Sequence, residues 1–164
     1  MWRPLRTPLP YAIGGAIAAT FYLEPVSTLD VDVFISMQPD AGSLLLSAAP
    51  LVDYLVARGC QVEGEYVMVG GWPVQFLPPP GPLVEEALDE AIAVEVDAVP
   101  TRVFSVEHLA AIALETGRAK DKARLLQFVE YGEMDSSRLH AILERHHLVE
   151  RWERFRRQYL EEPS

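Results

Sequence analysis

The sequence predicts a mixed α/β fold, α+β by strict classification, with a helix-flanked sheet followed by a helical C-terminal part. Short runs of alternating or continuous apolar residues predict strands in the first two thirds of the chain, and helical periodicity dominates the remainder. The hydrophobic content of 49% and the charged content of 23% are typical of a globular protein with a substantial core. We therefore expect a single domain over residues 1–164, with an α/β core at about 11–104 and a helical part at about 105–161.

The N-terminal part of the chain begins with a largely apolar run, Tyr11–Leu23, which is too short to span a bilayer. The pair Gly14-Gly15 divides this run and predicts a helix from Ala16 to about Tyr22. A buried strand is predicted over 29–35, with Leu29, Val31 and Val33 on the face toward the core.

A loop over 36–42 and a helix over 43–58 follow, with Pro50 as a kink or restart and Gly59 as the stop. Two strands are then expected at 61–69 and 72–77, because Gly70-Gly71 between them is a strong signal for a two-residue hairpin.

The run Pro78–Pro82 predicts a rigid connector to a helix over 83–93, and 94–104 reads as an extended segment broken at Pro100. Ser105 is a plausible helix cap. Four helices are predicted after it, at about 106–116, 120–131, 136–146 and 149–160. In the last of them Trp152, Phe155 and Tyr159 recur at helical spacing, which suits core or partner contacts more than a platform for stacking nucleotide bases.

The net charge of −10, from 14 basic and 24 acidic residues, argues against general DNA binding. It leaves room for a local basic groove, and two basic clusters are candidates, at 118–124 and 151–157. The alternative for each cluster is a solvated helix face. The only cysteine, Cys60, cannot form an intramolecular disulfide, so we expect a cytoplasmic protein.

Two aspartates at alternate positions, Asp30 and Asp32, are the strongest functional candidates. Because side chains alternate along a strand, both carboxylates lie on one face, where they repel each other and lose hydration. A divalent cation relieves both effects, and hard oxygen ligands of this kind suit Mg²⁺ or Mn²⁺. The pair therefore predicts a metal site.

The glycines Gly14 and Gly15 have a matching use, since a helix entry built from small residues lets backbone N–H groups approach phosphate oxygens. A tight turn or close packing is the structural alternative. Thr28 could likewise bond a phosphate of a ligand or simply pair within the strand.

The glycine pair followed by T-x-D-x-D resembles the minimal nucleotidyltransferases of the DNA polymerase β superfamily, and within them proteins related to the AbiEii toxin. Ser105–Ala110 and the segment Arg118-Ala119-Lys120-Asp121 are similar to the late helix and the R-x-K-D segment of that family. The resemblance covers roughly residues 11–131. It implies transfer of an NMP from an NTP to a hydroxyl on a protein, an RNA or a small molecule, with Mg²⁺ or Mn²⁺ held by Asp30 and Asp32. It also implies nucleotide contacts from Gly14, Gly15, Thr28 and Lys120, and a cognate toxin or antitoxin as a partner.

Three positions depart from the family pattern. Gln75 stands where a third carboxylate is usual, and a glutamine cannot accept a proton at neutral pH. Val26 and Ala113 stand near positions that are often basic. Glu63 or Glu65 are candidate substitutes for the carboxylate. The sequence thus leaves two alternatives, an active transferase in which Gln75 belongs to the catalytic set, and a weak or inactive module that binds or regulates.

Overall fold

The computed structural model describes residues 10–23, 28–36, 48–131 and 133–161. The predicted loop over 36–42, the first residues of the predicted helix over 43–58, and Val26 fall wholly or largely outside these residues. No helix within the described ranges is both long enough and apolar enough to cross a membrane.

A mixed sheet of seven strands forms the centre of the described fold, in the spatial order β3-β4-β5-β2-β1-β7-β6. The central pairs are β2 with β5 and β1 with β7, both parallel, and β1 with β2, antiparallel. The strands are β1 Tyr11–Ile13, β2 Val31–Ile35, β3 Gln61–Glu63, β4 Tyr66–Val69, β5 Trp72–Leu77, β6 Ile92–Val96 and β7 Val99–Val103.

Seven helices accompany this sheet in the described part of the chain, and the last four follow one another without an intervening strand, as the sequence predicts. They are α1 Gly15–Ala19, α2 Ala49–Val56, α3 Pro82–Asp89, α4 Val106–Thr116, α5 Ala119–Tyr131, α6 Ser136–Arg145 and α7 Val149–Tyr159. The predicted fold class, a mixed sheet flanked by helices with a helical C-terminal part, is confirmed.

The main core lies between one face of the sheet and the helices. Ala12 of β1 and Phe34 of β2 are partners across their strands, so both face this side. Phe34 stacks on Phe104 with ring centroids 5.1 Å apart, and Phe104 is 1% exposed. Helix α4 is buried along most of its length and contacts α5, α6 and α3, so it is the element around which the helical layer packs.

The junction of α4 with its neighbours is polar but satisfied. The Oγ of Ser105 accepts a hydrogen bond from the backbone N–H of His108, which confirms the predicted cap. The ring of buried His108 contacts Ser105 Oγ at 2.8 Å and Glu86 Oε1 at 3.2 Å. Glu107 is 5% exposed and accepts a hydrogen bond from the backbone N–H of Asp135 at 2.9 Å, so it is structural.

Several predicted boundaries are wrong, for local reasons. Residues 61–69 form two strands, since Gly64 at φ +63° turns the chain between β3 and β4. The segment 94–104 is not broken at Pro100, which lies within β7 opposite Glu95; the break is a turn at Asp97-Ala98, where both residues have positive φ.

The prediction for Leu29 is also wrong. The strand begins at Val31, and Leu29 lies before it with 85% of its surface exposed. The core-facing residue is Phe34, which shares its face of the strand with Asp32 because the two are separated by two positions. The acidic face of β2 and the face toward the helical core are therefore the same face, which brings Asp32 to the margin of the core.

Candidate functional site

The register of the sheet places Gln75 beside Asp32. Strands β2 and β5 are parallel neighbours, and Asp32 is the direct partner of Gln75. Directly paired residues of neighbouring strands point to the same face, so the Asp32 carboxylate and the Gln75 amide lie side by side. Gln75 is therefore a neighbour of Asp32 on the same face of the sheet.

The two glycines of the β1–α1 turn have different roles. Gly15 has a φ of +59°, and a Cβ added there would collide with Oδ2 of Asp32. A Cβ on Gly14 would instead lie 2.6 Å from the ring of Phe34 and 3.0 Å from that of Phe104. The lack of a side chain at Gly15 thus lets the backbone lie close to the Asp32 carboxylate. Gly14 instead allows close packing against two aromatic rings, which is the structural alternative named above. The backbone N–H of Gly14 also donates to the Asp32 carbonyl at 3.0 Å, which fixes the turn against β2.

Asp30 lies just before β2 and is held by two hydroxyl groups. The Thr28 hydroxyl donates to the Asp30 backbone carbonyl at 3.1 Å and to Oδ1 at 3.3 Å, and the Tyr66 hydroxyl donates to Oδ2 at 3.4 Å. Thr28 therefore positions the Asp30 carboxylate. Continuing the β4–β5 register by one residue places Tyr66 opposite Gln75, so the phenol reaches Asp30 across one strand.

A cavity of about 140 Å³ opens between the sheet and helices α4 and α5. Gly15 and Asp32 line its sheet side, and Arg118, Asp121 and Arg124 line it from the start and first half of α5. We call this space the Asp32 cavity. Ala113 and Thr116 of α4 are also in its wall, so the position where the resembling family often has a lysine does face this cavity.

The charges around Asp32 oppose one another. Partial burial raises the pKa of Asp32, and the neighbouring charge of Asp30 raises it further. The positive charges of Lys120, Arg118 and Arg124 lower it again, in that order of size. The aspartate face of the sheet and the basic residues of α5 therefore interact across the cavity, and Lys120, although exposed, contributes to that field.

Asp121 is paired within its own helix segment. It is 4% exposed and accepts hydrogen bonds from Arg118, from Nε at 2.6 Å and from Nη2 at 3.3 Å. This pair of hydrogen bonds raises the pKa of the Arg118 guanidinium, so Arg118 stays positively charged beside the cavity. The sequence analysis identified the segment 118–121 but missed the pairing of Arg118 with Asp121. The i, i+3 spacing of the two residues is a signal that could have predicted it.

No third carboxylate, histidine or cysteine joins Asp30 and Asp32 in a compact ligand set among the described residues. Glu63 lies on β3, and two strands separate it from β2, which corresponds to roughly 14 Å at about 4.8 Å per strand. The neighbouring carboxylate of Glu65 is the largest cause of the raised pKa of the Tyr66 phenol, with Asp30 a smaller one. Neither glutamate takes the position of Gln75 beside Asp32.

Glu86, Glu90 and His108 do bring ligand atoms within 4.8 Å of one another. The Glu86 carboxylate, however, already accepts hydrogen bonds from Arg145 at 2.6 and 3.1 Å and contacts His146 at 2.8 Å. The Arg145 bond is the main reason that the pKa of Glu86 falls to about 2. Because an arginine already neutralises the central carboxylate, this cluster joins α3 to α4 and α6 and is not a cation site.

Comparisons with known proteins agree with the fold. No family model matches the sequence, and neither does any curated protein. The structure is similar to the crystal structure of an antigenic nucleotidyltransferase-like protein from Paracoccidioides brasiliensis, with a TM-score of 0.52 and 18% sequence identity, over 87% of this chain and 84% of that chain. The chain therefore has a nucleotidyltransferase-like fold.

The close approach of Gly15 to Asp32 gives a testable prediction. We expect Gly15→Ala to lower the free energy of unfolding more than Gly70→Ala does, by about 0.5–1.5 kcal/mol, because Asp32 must leave its rotamer. Gly70 is a matched control, since its φ is also +59° and nothing lies within 4 Å of its added Cβ. Urea unfolding of both variants measures the difference. Equal losses would show that the Asp32 carboxylate does not depend on this turn.

Proposed function

We propose that the chain is a metal-dependent nucleotidyltransferase that moves an NMP from an NTP to a hydroxyl acceptor. The observation that supports this most strongly is the arrangement at β2, where the Gly15 backbone closes on the Asp32 carboxylate and Gln75 lies beside it on β5. The basic start of α5 faces that arrangement across the Asp32 cavity. A glycine turn, an aspartate and opposed cations are the parts that a site for a metal-bound triphosphate requires.

The donor set fits a hard divalent cation. Partial burial and the charge of Asp30 raise the pKa of Asp32 and so disfavour its ionised form, which a bound cation would favour. Asp30 adds a second carboxylate, and the Thr28 hydroxyl donates to both its backbone carbonyl and its side chain. Asp30 and Asp32 would hold Mg²⁺ or Mn²⁺, with the neutral Gln75 oxygen as a further candidate donor. When bound, such an ion supplies positive charge that offsets the charge of the transferring phosphoryl group.

The protein's own residues would do the rest of the binding. Arg118, Lys120 and Arg124 attract the phosphates, and Gly15 lets them approach the backbone without a side chain in between. In the transfer itself the acceptor oxygen bonds to the α-phosphorus, the bond from that phosphorus to the oxygen bridging to the β-phosphorus breaks, and pyrophosphate leaves. The acceptor proton passes to water or to a carboxylate, because the Gln75 amide cannot take it.

A second candidate function is nucleotide binding without efficient transfer, in a module that binds or regulates a partner. The observation that favours it is the strand pairing of Asp32 with Gln75, because a glutamine cannot act as a general base. No other carboxylate joins Asp30 and Asp32 in a compact set among the described residues. Action within a toxin–antitoxin pair stays a prediction, supported by the family resemblance. Cytoplasmic localisation stays a prediction that rests on the single Cys60.

Replacing both aspartates tests the site. We expect Asp30→Asn with Asp32→Asn to weaken Mg²⁺-dependent binding of ATP or GTP at least tenfold, measured by calorimetry, because the two anionic donors are gone. The folded state should be as stable as the parent or slightly more stable at neutral pH. The pKa of Asp32 is raised on folding, so its ionised form above that pKa is disfavoured in the folded protein.

The control is Glu63→Gln with Glu95→Gln, which removes two exposed carboxylates from strands β3 and β6 and should leave nucleotide affinity unchanged. Unaltered MgATP affinity in the aspartate double variant, or an equal loss in the glutamate double variant, would refute the assignment of Asp30 and Asp32.

Substitution of Gln75 separates the two candidate functions. We expect Gln75→Asp to raise NMP transfer by about 10²-fold or more, because one positioned general base contributes roughly 10²- to 10⁴-fold. Gln61→Asp, at an exposed position on β3, is the matched control and should change nothing. Transfer of a labelled nucleotide to total cellular RNA and protein provides the measurement. A slower Gln75→Asp variant would mean that the wild-type amide already serves the reaction.

A further inference from the structure

Strand β6 lies at one edge of the described sheet, where β7 is its neighbour on one side. Its residues, Ile92–Val96, are exposed or half-buried along the whole strand. The strand contains neither proline nor lysine, two residues with which proteins protect an exposed sheet edge from pairing. The opposite edge strand, β3, has three residues and is protected by its shortness. The β6 edge is therefore the one that can accept a further strand.

The register of the β6–β7 hairpin determines which backbone groups point outward. The two-residue turn after β6 closes the Val96–Val99 pair, in which the N–H of each residue donates to the carbonyl of the other. Hydrogen-bonded pairs alternate with non-hydrogen-bonded pairs along an antiparallel ladder. The N–H and C=O groups of Ala93 and Glu95 consequently point away from β7, toward the open edge.

These outward groups fit a second copy of the same strand. A two-fold axis beside Val94 pairs Ala93 of each copy with Glu95 of the other, and each of these pairs exchanges two backbone hydrogen bonds. The Glu95 carboxylates then lie opposite alanines and not opposite each other, which avoids repulsion between like charges. Because the strand is complementary to itself in this register, the geometry favours a second copy over an unrelated strand.

The apolar side chains of the hairpin also match across this axis. Ile92, Val96 and Val99 lie on one face and are 37%, 43% and 61% exposed. The two-fold axis places Ile92 of one copy opposite Val96 of the other, whose own neighbour Val99 continues the row. At the axis Val94 meets Val94 of the second copy. Apolar surface that water reaches in a single copy is thereby covered in the pair.

The other face of the hairpin adds charge complementarity. Arg102 is the β7 partner of Ala93, and it donates to the backbone carbonyls of Leu88 and Asp89 at 3.0 and 3.2 Å, which neutralises no charge. Neither Arg102 nor Glu95 forms an ion pair within the described part of the chain. In the pair, Ala93 alone separates Arg102 from Glu95 of the second copy along one row of the sheet. The arginine and the glutamate of different copies therefore attract each other.

We propose that the chain forms a two-fold symmetric dimer through β6, in which the two seven-stranded sheets join into one continuous sheet. A two-fold axis between antiparallel strands is perpendicular to the sheet, so the helical layers of both copies lie on the same side of it. The two Asp32 cavities then lie on that same side, with β2 the third strand in from β6 in each copy. The interface is mainly one pair of strands, so the dimer is weak and depends on concentration.

Analytical ultracentrifugation of the whole chain tests the dimer. We expect the wild type to change from monomer to dimer between about 5 and 500 µM, as a small interface allows. Val94→Lys and Val94→Glu should each raise the dimer Kd at least about tenfold, because like charges then face each other in a non-hydrogen-bonded pair, where side chains are closest. Val62→Lys is the matched control, since Val62 is an exposed valine of the opposite edge strand, β3, and should leave the Kd unchanged.

An equimolar mixture of the Val94→Lys and Val94→Glu variants tests the two-fold axis itself. We expect the mixture to form a heterodimer at least as tight as the wild-type dimer, because lysine and glutamate then lie opposite each other at the axis. Thermal unfolding checks that both variants fold. If either does not, Val96→Lys replaces them, since Val96 is exposed and lies opposite Ile92 of the second copy; it should also raise the Kd.

Three results would overturn the proposal. They are a wild type that stays monomeric at about 500 µM, a loss in Val62→Lys equal to that in the β6 variants, and a mixture of folded variants that dimerises no more tightly than either variant alone. The variant with Asp30→Asn and Asp32→Asn should dimerise like the parent, so the dimer and the proposed transferase activity are tested separately.

Discussion

The candidate site depends on the contact between the Gly15 backbone and the Asp32 carboxylate. A residue with a Cβ cannot stand at position 15 while Asp32 keeps its rotamer, and the positive φ of Gly15 independently favours glycine. The backbone bond from Gly14 to the Asp32 carbonyl holds the same turn against β2. Two neighbouring glycines thus meet two separate steric demands, one from the aromatic pair in the core and one from the carboxylate at its margin.

The electrostatic balance follows from that placement. Asp32 shares its strand face with Phe34, so the carboxylate is drawn toward the core and loses part of its hydration. The first half of α5 compensates with Lys120, Arg118 and Arg124, although Arg118 divides its charge with Asp121. Cations at the start of α5 thus oppose the carboxylates on and just before β2. An acidic protein can in this way carry a local site for anionic ligands.

Sequence reasoning located the elements better than their edges. Period-two alternation was enough to place Asp32 on one face of a strand. The position of Gln75 on the neighbouring strand was implied by the family resemblance, and the register beside Asp32 comes from the structure. The predicted break at Pro100 is wrong because a strand tolerates a proline where one of its sides is unpaired, and β1 pairs with β7 only at Val103. The actual break is the turn at Asp97-Ala98, which contains no glycine that would have indicated it. The prediction that the strand includes Leu29 is wrong because the first residue of a strand is set by its pairing partners, which a local sequence pattern does not contain.

Contacts between distant elements were beyond the sequence patterns. The Tyr66 hydroxyl reaches Asp30 across an intervening strand, and Arg124 faces Asp32 from the helical layer, so both depend on the packed fold. What the sequence did contain was the chemistry of the individual parts, namely the glycine turn, the alternate aspartates and the basic cluster.

The ionisation of Asp32 tests the central claim most directly. In carboxyl-detected NMR titrations, with the Asp32 signal assigned by its loss in Asp32→Asn, we expect the pKa of Asp32 to lie above the ordinary value of about 3.9 without divalent cations. Addition of Mg²⁺ should lower this pKa to that value or below it, because a bound cation favours the ionised carboxylate. An ordinary pKa for Asp32 that Mg²⁺ leaves unchanged, alone and with ATP present, would contradict the account of this site.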